Sequence, residues 1–141
     1  MILADVNVLV YAFRKDDPLH PIGRRWLDAV VLGSQRFGVS KLVLSAVVRV
    51  TTNTRTYREA SSHDDAFGFC ADLLEQPHCD VIEPGEDHWA IFERLCKDTN
   101  TKGPRVTDAW FAALAIEHGC EWVTFDRDFA RFPGLRWSVP S

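Results

Sequence analysis

The sequence predicts an α/β sandwich with a mainly parallel central sheet. Short apolar runs alternate with longer stretches of helical periodicity, and acidic residues close two of the apolar runs. The length of 141 residues suits one core, since such a chain buries roughly two-thirds of the surface it exposes when unfolded. One domain spanning residues 1–141 is therefore expected, without staples.

Met1 to Asp5 is an apolar run ending on a carboxylate, and Val6 to Phe13 continues with apolar residues at helical spacing, so a buried strand, a turn and a helix are read. Pro18, Leu19 and Pro21 punctuate the chain before Ile22, Trp26, Leu27, Val30 and Val31, a helix stopping near Gly33. Phe37 to Ser40 is a short strand candidate. In Lys41 to Asn53 the polar residues Lys41, Ser45, Arg49, Thr52 and Asn53 form one stripe on an otherwise buried helix; the β-branched content permits a strand, but alternation is absent. Asp64 to Glu75 and Glu86 to Asp98 are amphipathic helices, with Asp80 to Ile82 a strand between them. Thr99 to Val106 reads as a loop broken by Gly103 and Pro104, after which Thr107 caps a helix from Asp108 to His118 closed by Gly119. Glu121 to Phe125 is a strand ending on Asp126, and Leu135 to Val139 a last edge strand.

Composition narrows the function classes. A hydrophobic fraction of 46% with five tryptophans belongs to a globular chain, and no run reaches the ~18 apolar residues of a membrane span. A soluble, cytoplasmic protein without a signal peptide is expected. The four cysteines, Cys70, Cys79, Cys96 and Cys120, form no CxxC pair, which argues against a zinc knuckle or a dithiol motif and for reduced core residues. The five histidines show no paired spacing and are assigned surface or capping roles. A net charge of −4 excludes a protein that grips nucleic acid by its overall field. Any grip on RNA or DNA must be local. The tryptophans exceed what one small core usually takes, so some are expected at an interface.

Asp5 and Asp126 both stand where a strand gives way to the next element, the edge at which α/β sheets carry their sites, and Asp108 opens a helix after a loop. Three carboxylates from distant segments can thus meet at one rim. Such a cluster is costly without a counter-charge. A hard divalent cation removes the cost: Mg²⁺, or Mn²⁺ in its place, prefers oxygen ligands and can activate water at a phosphodiester. Each aspartate alone has a plainer reading, Asp5 as a helix cap, Asp108 as a partner of its helix dipole, Asp126 and Asp128 as turn residues. Those readings leave unexplained why all lie at the same end of their elements.

The segments ADVNVLVYAF around Asp5, VLSAVVRVTTN, VTDAWFAALAIEHG around Asp108 and WVTFDRDFARFPGLRW at the end occur in an order that covers the whole chain. In this the chain resembles PIN-domain proteins, and among them the VapC toxins of bacterial toxin–antitoxin modules. The resemblance implies a three-layer sandwich and a Mg²⁺-dependent endoribonuclease acting on structured RNA, transfer or ribosomal. It also implies a homodimer and a cognate, VapB-like antitoxin whose segment blocks the metal site. Asp5 and Asp108 match the family's principal metal ligands and Asp126 the acidic residue at the end of the fourth strand; Asp128, two positions later, is expected to contribute through a water. Asn7 matches a position that orients the first aspartate; as a residue it is also simply a good helix cap. Thr124 is expected at the rim, to hold water or phosphate, or merely as a strand residue. One departure matters: where many members carry a glutamate three residues before an arginine, this chain has Ala46 ahead of Arg49.

Arg49 shares the polar stripe with Ser45 and is expected to turn toward the carboxylates, pairing with an aspartate when no metal is present or contacting substrate phosphate. Arg14, Lys102, Arg105 and Arg127 flank the motifs and are expected to position phosphates without reading bases. Two rivals stay open. A phosphatase or response-regulator-like domain would use the first aspartate covalently, but the position two residues on is Asn7 rather than a second aspartate. A catalytically weakened PIN scaffold, acting as a binding protein, draws support from Ala46.

Overall fold

The computed structural model describes all residues, Met1–Ser141. Five strands, β1 (Ile2–Ala4), β2 (Phe37–Val39), β3 (Cys79–Val81), β4 (Glu121–Val123) and β5 (Trp137–Ser138), form one sheet in the order β3-β2-β1-β4-β5. All four pairings are parallel, so the expected mainly parallel sheet is wholly so. The helices are α1 (Val6–Phe13), α2 (His20–Leu32), α3 (Lys41–Thr51), α4 (His63–Leu74), α5 (His88–Thr99) and α6 (Val106–Glu117). Helices on both faces are what parallel strands require, because their crossovers must pack back onto the sheet. No helix is long and apolar enough to cross a membrane.

The first strand by sequence lies in the middle: Leu3 pairs with Gly38 of β2 on one side and Trp122 of β4 on the other, and is fully buried. Gly38 has a packing reason to be glycine, since a Cβ there would sit 2.7 Å from Ile82 Cγ1. The core continues through Val8 and Leu9 of α1, Val43 and Val47 of α3, Ala112 and Leu114 of α6, and Trp122, whose ring stacks on Phe111 and tilts against Phe129.

Several expectations are corrected in detail. Helix α2 starts at His20, with Pro21 inside its first turn; a helix tolerates proline there because the missing N–H would have had no partner. Thr107 is not a cap. Helix α6 begins at Val106, directly after a 3-10 turn at Gly103–Arg105, and its N-cap position, Arg105, makes no side-chain capping bond. β4 ends at Val123, so Thr124 and Phe125 lead from the strand to Asp126, which caps the 3-10 turn Arg127–Arg131 by accepting from Asp128 N–H. Stripe residues Lys41, Ser45 and Arg49 of α3 are exposed, but Leu42 is 48% exposed beside them, so the remainder of that helix is not all buried.

His88 is a core residue rather than a surface one, 1% exposed, its Nε2 3.0 Å from the Trp110 carbonyl and its ring edge-on to Trp110. All four cysteines are free, and Cys70 and Cys120 are buried. Of the tryptophans only Trp89 stands well out, 64% exposed at the edge of a cluster with Phe92 and Trp110.

Candidate metal centre

Strands β1 and β4 are hydrogen-bonded neighbours running the same way, so the residues after them emerge side by side. The Asp5 N–H continues the ladder by donating to the Val123 carbonyl at 2.8 Å. Asp5 then caps α1: its Oδ1 accepts from the Val6 N–H at 2.6 Å, and its Oδ2 accepts from the Thr124 hydroxyl at 2.6 Å. Thr124 is fully buried and works as a hub, because its Oγ1 also accepts from the Asp126 N–H at 2.9 Å. Asn7 ties the same segments together. Its Nδ2 lies 3.4 Å from Asp5 Oδ2 and 3.3 Å from Thr124 Oγ1, while its Oδ1 accepts from the Phe125 N–H at 3.1 Å. The plain cap reading of Asp5 and the site reading are thus one arrangement: the cap holds the carboxylate at the rim.

Asp108 stands in the first turn of α6, and Asp126 and Asp128 lie on the turn after β4. One side chain joins all three. Arg105 Nη1 lies 3.4 Å from Asp108 and 3.5 Å from Asp126, and its Nη2 donates to Asp128 at 2.8 Å. Arg131 adds a second cation, Nη2 3.5 Å from the same Asp108 oxygen, while its Nη1 donates to the Asp128 carbonyl and its guanidinium covers the Phe132 ring.

Burial pushes the Asp5 carboxyl up to about 6 against two hydrogen bonds that favour ionisation, and the charges of Asp108 and Asp126 push the same way. Asp108 is also raised by burial although Arg105 and Arg131 oppose it. By formal charge, four aspartates face two arginines.

Asp5, Asp108 and Asp126 border a cleft of about 620 Å³ that Ser45, Ala46 and Arg49 of α3 also line. No carboxylate comes from α3. The same cleft includes Tyr11, Asp17 and Tyr57, which sequence reasoning missed; Tyr57 belongs to the irregular segment after α3, where no periodicity signals direction. Arg49 makes no ion pair with an aspartate, correcting the expectation that it balances the metal-free cluster; Arg105 and Arg131 do so instead. Arg131, also missed, sits three residues after Asp128 in DRDFAR, so a helical turn returns it to the rim.

Arg14 requires a larger correction. It is 9% exposed, with its guanidinium donating to Asp16, to the Ser61 hydroxyl at 2.9 Å and to the Glu59 carbonyl at 2.8 Å, and lying over the Tyr57 ring. Those bonds occupy it in fastening the 59–61 segment. Lys102, Arg105 and Arg127 line a second concavity of about 650 Å³, together with Asn100, Asp128 and Arg131.

As the side chains stand, no three acidic, histidine or cysteine groups converge closely enough to enclose one ion. The donor set nonetheless fits a hard divalent cation. All the donors are carboxylate oxygens, burial raises Asp5 and also Asp108, the latter despite two neighbouring arginines, and a guanidinium already spans three of the four. The carboxylates are spread along that guanidinium rather than closed on a point.

An all-parallel sheet with aspartates gathered beyond its neighbouring strands β1 and β4 defines a class. Residues 2–135 match the PIN domain family, and the chain belongs to it. Within that family it belongs with the VapC ribonucleases. It is 40% identical to ribonuclease VapC25 of Mycobacterium tuberculosis over 140 residues, covering 99% of both chains. It is 39% identical to ribonuclease VapC43 of the same species, covering 99% of this chain and 95% of the relative. Solved structures agree on the fold. A VapBC2 structure from Rickettsia felis, bound to a DNA fragment from its promoter, matches at 17% identity and TM-score 0.70, covering 100% of both chains. Mycobacterium tuberculosis VapC20, a Sarcin-Ricin loop cleaving toxin, matches at 18% identity and TM-score 0.67, covering 96% of this chain and 99% of that one.

Proposed function

We propose that this chain, working as one domain in the cytoplasm, is the toxin of a toxin–antitoxin pair and an endoribonuclease dependent on Mg²⁺, with Mn²⁺ as substitute. The observation that carries the reading is that Asp5, Asp108 and Asp126 border one cleft, in a chain similar over its whole length to ribonucleases. A bound divalent ion supplies a more acidic water and charge stabilisation at the phosphodiester. Asp5, Asp108 and Asp126 would hold it, with Asp128 acting through water.

The protein's own contribution is placement. Thr124 and Asn7 fix the Asp5 carboxylate, so little reorganisation is needed when the ion and the RNA arrive. Arg49 faces the cleft from α3, where it meets substrate phosphate, and Lys102, Arg105 and Arg127 hold flanking phosphates. The acidic rim suits an antitoxin segment that brings an arginine or lysine to the cation's place, and Trp89 suits a contact between two copies in a homodimer. Transfer or ribosomal RNA is the substrate class.

The test is cleavage of total RNA by the purified protein with Mg²⁺ or Mn²⁺. Activity should vanish with chelator and in Asp5→Asn and Asp108→Asn. Cleavage that persists in chelator overturns the metal reading. One observation favours a second reading, a weakened scaffold that binds without cutting: Ala46 leaves α3 without a carboxylate in the cleft. Metal binding without cleavage of any RNA, at concentrations where a relative cuts, would select it.

A further inference from the structure

Arg105 links the carboxylate cleft to the basic concavity: it lines the concavity and pairs with Asp108 and Asp126, which border the cleft. It lines the concavity with Lys102 and Arg127, yet its guanidinium is turned onto Asp108, Asp126 and Asp128. The side chain is half exposed and follows Gly103, whose φ is +62°, and Pro104. Nothing buried fixes it in place. Its charge lies among three of the carboxylates proposed to hold a divalent ion, Asp108, Asp126 and Asp128, and no three acidic groups converge closely enough to enclose one. Lys102, its neighbour in the concavity, forms no ion pair with any carboxylate.

We propose that Arg105 exchanges partners during the working cycle: in the metal-free protein it is the internal counter-ion of the carboxylates, and when a divalent ion displaces it, it turns into the basic concavity and binds an RNA phosphate. The concavity is then a phosphate subsite completed only when metal is bound. Metal and RNA binding become linked through one side chain, each favouring the other, because a metal ion frees the arginine and an RNA phosphate retains it. Arg131 does not share this freedom, since its remaining contacts hold it on the Asp128 carbonyl and the Phe132 ring. The proposal rests on the metal-dependent nuclease reading for the identity of both ligands.

The experiment compares the full-length wild type with Arg105→Gln and Lys102→Ala, measuring Mn²⁺ affinity by electron paramagnetic resonance in the absence of RNA. Binding of a short fluorescein-labelled RNA of mixed sequence is measured by anisotropy in Ca²⁺, with the RNA checked intact afterwards. Removing three exposed ion pairs should tighten Mn²⁺ binding roughly tenfold in Arg105→Gln. The same variant should bind RNA more weakly in Ca²⁺. Lys102→Ala should weaken RNA binding while leaving Mn²⁺ affinity within about twofold, since it loses a phosphate contact but no carboxylate contact. Unchanged or weaker Mn²⁺ binding in Arg105→Gln overturns the exchange, as does RNA binding that does not fall. Equal tightening in Lys102→Ala also overturns it, by showing that the general field rather than the contact sets metal affinity. Failure of the wild type and of Arg105→Gln alike to bind Mn²⁺ sinks the metal reading itself.

Discussion

Replacing Asp5 by asparagine should abolish cleavage and yet stabilise the metal-free protein. Asp5 is 7% exposed, and its carboxyl is raised from 3.8 to about 6, chiefly by burial. A raised folded-state pKa means that stability linked to this group is fully present below the unfolded value and is lost as pH rises through the folded one. Ionising Asp5 at neutral pH therefore costs the fold about 3 kcal/mol, the free-energy equivalent of the gap between those two values. Asparagine keeps the size and the acceptor for the Val6 N–H, but its amide must face Thr124 with the opposite polarity, which costs about 1 kcal/mol. The net gain of about 2 kcal/mol corresponds to a Tm rise of about 6 °C for a chain of this length.

Thermal melts by circular dichroism in chelator at neutral pH read this directly, and repeating them near pH 4 removes the gain, leaving the small cost at Thr124, because wild-type Asp5 is then protonated. Added Mn²⁺ should raise the wild-type Tm and leave the variant's nearly unmoved. An Asp5→Asn Tm at or below the wild type in chelator at neutral pH would refute the reasoning, as would a gain undiminished near pH 4.

Thr124→Val keeps the shape and removes the hydroxyl that joins Asp5 to Asp126, leaving the Asp126 N–H without its partner. Urea melts should show a loss of about 2 kcal/mol, and cleavage rates should fall about tenfold through misplacement of Asp5. Arg14→Ala should cost about 2 kcal/mol through the freed Glu59 carbonyl and the uncovered Tyr57 ring, with RNA affinity unchanged by anisotropy, because Arg14 is engaged with Asp16, Ser61 and Glu59 rather than with the carboxylate rim. Ala46→Glu puts a carboxylate into the cleft that Asp5 and Asp108 border, and Mn²⁺ binding by electron paramagnetic resonance should tighten about fivefold or more. A weaker Mn²⁺ affinity in that variant would mean that the α3 wall does not face the ion.

In this fold Asp5 and Asp126 are arranged by the turns that follow strands and Asp108 by the first turn of a helix, whereas the cations around them are arranged by packing. Asp5 and Asp126 were legible because a strand's last residues and the polar residue after them carry a local pattern. Asp108 was legible from its place after the Gly103–Pro104 break, although its helix begins at Val106, earlier than a cap at Thr107 would require. Arg14 and Arg105 illustrate the opposite. Both are arginines beside a motif, and nothing local distinguishes them. Arg14 is claimed by Asp16, Ser61 and Glu59, the last two 47 and 45 residues away, and Arg105 by aspartates up to 23 residues on.

What the sequence determined by itself was the alternation of strand and helix, the parallel sheet that alternation requires, the acidic rim and the absence of a carboxylate at Ala46. Those follow from short-range periodicity and from the types of residue at strand ends, which neighbours in the chain set. Only the tertiary structure decided that β1 lies at the centre of the sheet beside β4, which brings Thr124 between Asp5 and Asp126. It alone decided that Arg105 rather than Arg49 meets the carboxylates. A long side chain reaches any of several partners from one backbone position, and which one it takes depends on segments that folding, not sequence proximity, brings within a few ångströms.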